Sequence, residues 1–343
     1  MSRVTISDIA EKLGISTAAV SYALNDRPGV SGATRQRVLD LADEMGWQPH
    51  SIARSLRSNR AMSVGMVLAR DAEEVANEPF YSYVQAGVER HLAAHDYSLT
   101  MSRPGGAPGD DLEVYRRWAL QQRVDGVILF DMVVDDPRVE LLAELNLPAV
   151  EVTSDATVGP LPRVVVDDSG DARILVHHLA DQGYRSIVHL SGPTHLVHET
   201  LRRTAVARAC QEFGLPAAQH SCEYTLADGA RGFRDAIERS TRFPVGVIGS
   251  SDLLAAGALT AAREESMAVP QEVGLVSWDD SLPCQLAAPA LSCLNRNPLA
   301  MGATAAELLL ARLAGTTRHS VRMPPSRLVV RDSSDRNRVL LNS

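Results

Sequence analysis

Lysine is almost missing from this chain: Lys12 is its one instance in 343 residues, so the long remainder offers neither a phosphate-loop lysine nor a Schiff-base lysine. Aromatic residues make up only 4%, so a core must rest on the Val, Leu, Ile and Ala that dominate a 45% hydrophobic composition, which leans toward α/β. No run approaches the roughly 20 apolar residues that span a bilayer. The opening MSRVTISDIAEKLG is amphipathic and charged, so a soluble, cytoplasmic protein without a secretory leader is expected. Cys210, Cys222, Cys284 and Cys293 show no CxxC or metal-finger spacing and read as buried thiols. GxGxxG, GxSxG and HExxH strings are absent, and HLVHE (His195, His198, Glu199) has no zinc-ligand order. Paired acids such as Asp279 and Asp280 have no nucleophile beside them. The expectation is a protein that is not an enzyme and needs no cofactor or metal.

What is present is a small basic module ahead of a large acidic body. Residues 1–60 hold eight Lys/Arg against six Asp/Glu, a charge of +2, whereas the rest carries −10. Phosphates would be repelled by that remainder, so any nucleic-acid contact belongs to the first sixty residues. There, VTISDIAEKLGISTAAVSYALN predicts two short helices: Thr5 caps the first with Asp8 three residues on, Gly14 ends it, and Ser16 caps the second. Val20, Ala23 and Leu24 then face inward, leaving Thr17, Ala18, Ser21 and Tyr22 outward. A third helix starts at Ser31 and stops at Gly46. Helix, glycine turn, helix can lay a recognition helix in a major groove, although such pairs also occur without any nucleic-acid role.

Residues 4–60, from VTISDIAEKLGISTAAVSYALN through RPGVSGATRQRVLDLADEMGWQPHSIARSLR, resemble without a gap the headpiece and hinge of the lactose-repressor (LacI/GalR) family. The resemblance implies base reading by Thr17, Ala18 and Tyr22, and phosphate contacts from Thr5, Ser16, Ser21, Asn25 and Ser31. Ala18 can touch a thymine methyl but donates no hydrogen bond. In HSIARSLRSNR the resemblance implies a hinge helix whose Leu56 wedges into the minor groove, with Ala53 allowing close approach. His50 belongs to the same DNA-facing set, but stands where many members carry Asn. Read without the family, the segment is a linker with a buried leucine.

From residue 61 onward, β-like runs alternate with amphipathic helical stretches, the pattern of parallel βαβ units. The runs are SVGMVLA (63–69), YSLTMS (97–102), VDGVILF (124–130), PAVEV (148–152), RVVVD (163–167), SIVHL (186–190), PVGVIG (244–249) and VGLVSW (273–278). The proline-bearing VGPLPR parts them into two halves. The fold class expected is an all-α helix-turn-helix headpiece with a hinge helix, followed by an α/β periplasmic-binding-protein-like core of two doubly wound parallel-sheet lobes. The same family's body is similar through VVRDSS. It implies three chain crossings, near Val158 to Arg163, Ala290 to Arg296 and Met323 to Arg327. The expected domains are a headpiece at 1–48, a hinge at 49–60, a core at 61–334 and a tail at 335–343. Within the core, one lobe takes about 61–160 and 296–323, the other about 163–290 and 327–334.

Ligands of doubly wound sheets lie at strand C-terminal ends. That rule selects Phe80 and Tyr81, with Tyr83 beside them, as stacking aromatics or core residues, and Asp131 after VDGVILF. It also selects Ser251 and Asp252 after PVGVIG and Asp279 after VGLVSW, either acid being equally able to cap a helix. Arg202 falls where family members hold a ligand-contacting arginine, or is a surface residue. Arg296 can reach the cleft from a crossing. Carboxylates with an arginine suit a polyhydroxylated ligand. Ser251 replaces a frequent Asn, and Ala205 and Val206 replace a Gly-aromatic pair.

The expected function is a DNA-binding transcription regulator, a repressor in the usual sense of the family, controlled by a small effector that is a carbohydrate. Its partners are a pseudo-palindromic double-stranded operator and a second copy of the chain as a homodimer, with no membrane. The alternatives are a sugar-binding protein without a DNA role, or a regulator answering to a nucleoside or other non-sugar ligand.

Overall fold

A computed structural model describes residues 4–47, 60–70, 78–104, 109–154, 159–239, 242–316 and 319–337. The chain divides into two units, 1–60 and 61–343, each taken by itself below. His50, Ala53 and Leu56 of the expected hinge lie outside the described residues, as does the end of the tail.

In the first unit, α1 (Ile6–Leu13), α2 (Thr17–Leu24) and α3 (Gly32–Glu44) share one core. Ile9 and Ala10, Val20 and Ala23, and Val38 and Ala42 are the buried pairs, one pair per helix. The caps do what the residue types allow. Thr5 and Asp8 form a reciprocal box, with the Thr5 N–H donating to the carboxylate over 2.7 Å and the Asp8 N–H to the Thr5 hydroxyl over 3.4 Å. Those bonds hold Asp8 below the usual carboxylate range. Gly14 closes α1 at φ 66°, a conformation that favours glycine. Ser16 and Ser31 cap α2 and α3.

The second unit holds two sheets flanked by helices, one wholly parallel and one parallel except for its edge strand. The first comprises β1 (Ser63–Val67), β2 (Ser98–Ser102), β3 (Gly126–Leu129), β4 (Ala149–Ser154), β5 (Arg163–Val166) and β11 (Ser320–Arg322). Their spatial order is β11-β5-β4-β3-β1-β2. Its helices are α4 (Pro79–Ala93), α5 (Asp110–Leu120), α6 (Pro137–Glu144) and α12 (Pro298–Leu313). The second sheet runs β12-β10-β9-β8-β6-β7. Its strands are β6 (Ser186–Ser191), β7 (Ala217–Ser221), β8 (Val245–Gly249), β9 (Val273–Ser277), β10 (Ser292–Asn295) and the antiparallel β12 (Arg327–Val329). With it go α7 (Asp168–Asp181), α8 (Val197–Glu212), α9 (Leu226–Glu238), α10 (Asp252–Glu264) and the short α11 (Leu282–Leu286). Strands β1, β3, β6, β8 and β9 are buried throughout, as apolar runs covered on both faces must be.

One boundary differs from the sequence reading. RVVVD, expected to open the second lobe, is the fifth strand of the first sheet, pairing parallel with β4 from Glu151↔Arg163 to Ser154↔Val166 and with β11 on its far side. VGPLPR therefore joins neighbouring strands, and the first crossing follows β5, between Val166 and Asp168. The other two fall between β10 and α12 and between β11 and β12.

Within each lobe, glycines let a pair of helices touch backbone to backbone. A Cβ on Gly302 of α12 would stand 2.1 Å from the Val84 carbonyl oxygen of α4, and one on Gly87 would stand 1.9 Å from that of Leu299. In the other lobe, a Cβ on Gly257 of α10 would meet the Leu226 carbonyl oxygen of α9 at 2.2 Å.

Candidate effector cleft and nucleic-acid face

On α2, the side opposite Val20 and Ala23 carries exposed Thr17, Ala18 and Tyr22, while Ser21 and Asn25 are half-buried and bonded to each other. Tyr22 is 41% exposed and lies against Gly29, where a Cβ would stand 3.0 Å from the ring. The Ser16 hydroxyl accepts from the Ala19 N–H at 3.1 Å, and that of Ser31 from Thr34 at 3.2 Å. Thr5, Ser16 and Ser31 thus stand at three helix N-termini, where backbone N–H groups and the helix dipole favour an anion. Arg35 pairs with Asp26 at 2.7 Å and bonds the Arg27 carbonyl, tying the turn after α2 to α3.

The second unit encloses about 520 Å³ of unfilled space, part of it open to solvent, at the C-terminal ends of both sheets. Six of the eight ligand residues expected from sequence line it: Phe80, Tyr81, Asp131, Arg202, Asp279 and Arg296. Ser251 and Asp252 do not. Both are 1–2% exposed and sit at the start of α10, where the Ser251 hydroxyl caps Leu254 and Asp252 binds the Leu253 N–H and the Ser281 hydroxyl. Their neighbour Ser250 takes the place in the wall. Burial pushes Asp252 up to about 6. Tyr83, on the outward side of α4, is 41% exposed.

The wall is built from arginine–carboxylate pairs. From the end of β1, Arg70 donates to Glu78 at 2.9 Å and to both oxygens of Asp131 at 2.8 and 2.9 Å. Tyr81 donates to the same Asp131, which holds φ at 52° after β3. Although burial opposes it, Arg70 keeps Asp131 below the usual carboxylate range, whereas burial raises Glu78 to about 8 despite the same partner. From the other lobe, Arg202 bonds Asp168 at 3.1 Å and Glu199 at 2.9 Å, and its guanidinium lies 4.8 Å over the Trp278 ring. Burial would raise Glu199, but Arg202, His198 and Tyr224 bring it to about 2. Arg296 bonds Asp279 through two nitrogens at 2.8 and 3.0 Å and covers Phe80 at 5.3 Å.

Contacts also cross the cleft. Arg70 of the first lobe stacks 4.6 Å over Tyr224 of the second, and the Val197 N–H donates to the Met132 carbonyl at 2.9 Å. The rest of the wall includes apolar Phe130, Val152, Val166 and Met301 and the hydroxyl-bearing Thr153. Sequence reasoning missed Arg70, Glu78, Asp168, His198, Tyr224 and Ser250. Arg70 and Asp168 follow strands β1 and β5, so the strand-end rule itself would have found them. His198 and Tyr224 carry no local signal.

Beneath the cleft, His189 is fully buried and bonds Ser250 at 3.0 Å. Burial lowers it to about 4, so it is neutral when folded. An unfolded chain takes up that proton below about 6.5, so stability is present above that pH and falls as pH drops toward 4. His189→Gln should remove this share, about 2 kcal/mol between pH 6.5 and 5. Urea unfolding of both proteins at the two pH values checks it; equal pH slopes would contradict it.

All four cysteines are free and buried. Among the described residues, no cluster of His, Cys, Asp and Glu could hold a metal ion, and no helix is long and apolar enough to cross a membrane.

Comparison with known proteins bears on both units. Residues 5–50 match the model for bacterial regulatory proteins of the lacI family, and 176–334 match that for a periplasmic binding protein-like domain. The HTH-type transcriptional regulator AglR of Rhizobium meliloti is 33% identical, covering 82% of this chain and 79% of its own. CelR of Thermobifida fusca is 29% identical over 96% of this chain and 98% of its own. Among solved structures, a transcriptional regulator CelR–cellobiose complex superposes with a TM-score of 0.74 at 27% identity, covering 97% of this chain and 100% of that one. The lac repressor dimer bound to operator and the anti-inducer ONPF shares the fold, with a TM-score of 0.81 at 23% identity, covering 97% of this chain and 99% of that one.

Proposed function

This chain belongs to the lacI family of bacterial regulatory proteins, and we propose that it represses transcription by binding a pseudo-palindromic operator as a homodimer, with a carbohydrate effector between its lobes controlling that hold. The observation that carries the reading is the pairing, in one chain, of an outward helix face with a polar cleft. Thr17, Ala18 and Tyr22 are exposed on α2, and arginines and carboxylates converge at the ends of two parallel sheets. Relatives described as transcriptional regulators support a role that is not enzymatic, and the cellobiose complex of a relative supports a saccharide effector.

On this reading Tyr22 and Thr17 reach base edges or phosphates while Thr5, Ser16 and Ser31 anchor phosphates at helix starts. Two headpieces would read half-sites about one helical turn apart. Effector and operator then bias one another reciprocally, because each alters the equilibrium between the same two arrangements.

A gel-shift titration of the chain against its own upstream region tests it. Tyr22→Ala should weaken operator binding by about 1–3 kcal/mol while leaving saccharide affinity unchanged. Operator affinity untouched by that substitution would remove α2 as the reading element. A monomer on the operator in sedimentation would remove the dimer.

A further inference from the structure

The chemistry left unused in the cleft says more about its occupant than the residue types do. Each of the three guanidiniums already faces a carboxylate. Arg70 engages Glu78 and Asp131 through all three of its nitrogens. Arg296 engages Asp279 through two, with its third 3.9 Å from Asp168. Arg202 engages Asp168 and Glu199. Every arginine here already holds a carboxylate, although Arg296 Nη1, 3.9 Å from Asp168, stands beyond hydrogen-bond distance of it, and an entering phosphate would lie among those carboxylates.

The orphan in the wall is an acceptor. Asp168 lies at the first lobe crossing and is 1% exposed. Its Oδ1 serves Arg202 and faces Arg296, while its Oδ2 is buried without a partner. A buried carboxylate oxygen left without a donor costs the full desolvation of that lone pair, so a ligand supplying an O–H there gains more than the average hydrogen bond. In the same wall, Phe80, Phe130, Val152 and Met301 offer apolar surface suited to the C–H face of a ring.

Resting on the reading of the cleft as an effector site, we infer that the effector is an uncharged, hydroxyl-rich molecule donating to Asp168, and that phosphorylated or carboxylated counterparts are rejected. Asp168 is thereby the specificity-determining residue of the cleft. Its position, two residues past β5, puts the discriminating contact where the chain first passes between lobes.

Isothermal titration of the full chain tests this, using cellobiose, maltose and glucose, each beside its 6-phosphate. At least one neutral sugar should bind, with at least a tenfold weaker affinity for its phosphate. Asp168→Asn should weaken the neutral sugar at least tenfold and narrow that ratio; a structural role alone would weaken both members equally. Tighter binding of a phosphate, or undiminished binding by the variant, overturns the inference and leaves the cleft reading in place. Binding that survives Val152→Trp, which fills the cavity, overturns the cleft reading itself. Should the variant not fold, the neutral-to-phosphate ratio on the unaltered chain still decides, and no binding by any of the six overturns both.

Discussion

Replacing Arg202 with alanine is expected to cost the second unit about 3–5 kcal/mol, the range for removing one partner of a buried ion pair. Arg202 is 5% exposed and its guanidinium bridges Asp168 and Glu199, which are 1% and 0% exposed, while its flat face covers Trp278. Alanine leaves two carboxylates without a counter-charge and uncovers the indole. Lysine restores the charge but not the fork, since a single ammonium cannot reproduce bonds running from separate nitrogens to two acids. Arg202→Lys should therefore recover only part of the loss. Equilibrium urea unfolding measures both variants, and a loss for alanine under about 1 kcal/mol would show that Asp168 and Glu199 are solvated or protonated instead of paired.

Valine at Gly302 should be at least as damaging, about 3 kcal/mol or more, for a steric reason. The first carbon of any side chain there meets a backbone oxygen of α4 at 2.1 Å, and backbone cannot rotate away as a side-chain tip can. The two helices must separate, opening the packed surface around Val84, Met301 and Ala305. Gly32 at the start of α3 provides the contrast: a Cβ there meets nothing within 4 Å, so Gly32→Ala should be tolerated. Thermal unfolding of the pair separates close packing from glycine content as the cause; equal melting temperatures would refute the packing account.

These costs also mark where sequence could and could not be read. Caps were legible because they are local: Thr5, Asp8, Gly14, Ser16 and Ser31 act within four residues of their targets. So were the strands buried on both faces, whose apolar runs stand out. Strand β7, AAQHS, was not, because an edge strand need not be apolar, and Ser292–Asn295, SCLN, mixes polar ends with two apolar residues and shows no apolar run. Misplacing RVVVD had a specific cause: a proline-bearing loop looks the same whether it joins neighbouring strands or two lobes. Within the cleft, Arg202, Asp279 and Arg296 were legible by strand-end logic and resemblance. Ser251 and Asp252 were drawn in by the same logic, though a helix start uses those side chains for its own N–H groups. His198 and Tyr224 meet over 3.2 Å across 26 positions of chain, a proximity no local pattern encodes.

Three strands of chain tie the lobes together, and two of the groups that face the cleft, Asp168 and Arg296, stand on those ties. Points on an axle travel least when the parts it joins are turned. A guest gripping these two would be fastened near the pivot, while Arg70 and Tyr224, stacked on one another from opposite lobes, would part as the lobes turn. The same rotation that frees that ring from its cation would scarcely shift Asp168, so retention of the guest and opening of the jaws need not oppose each other.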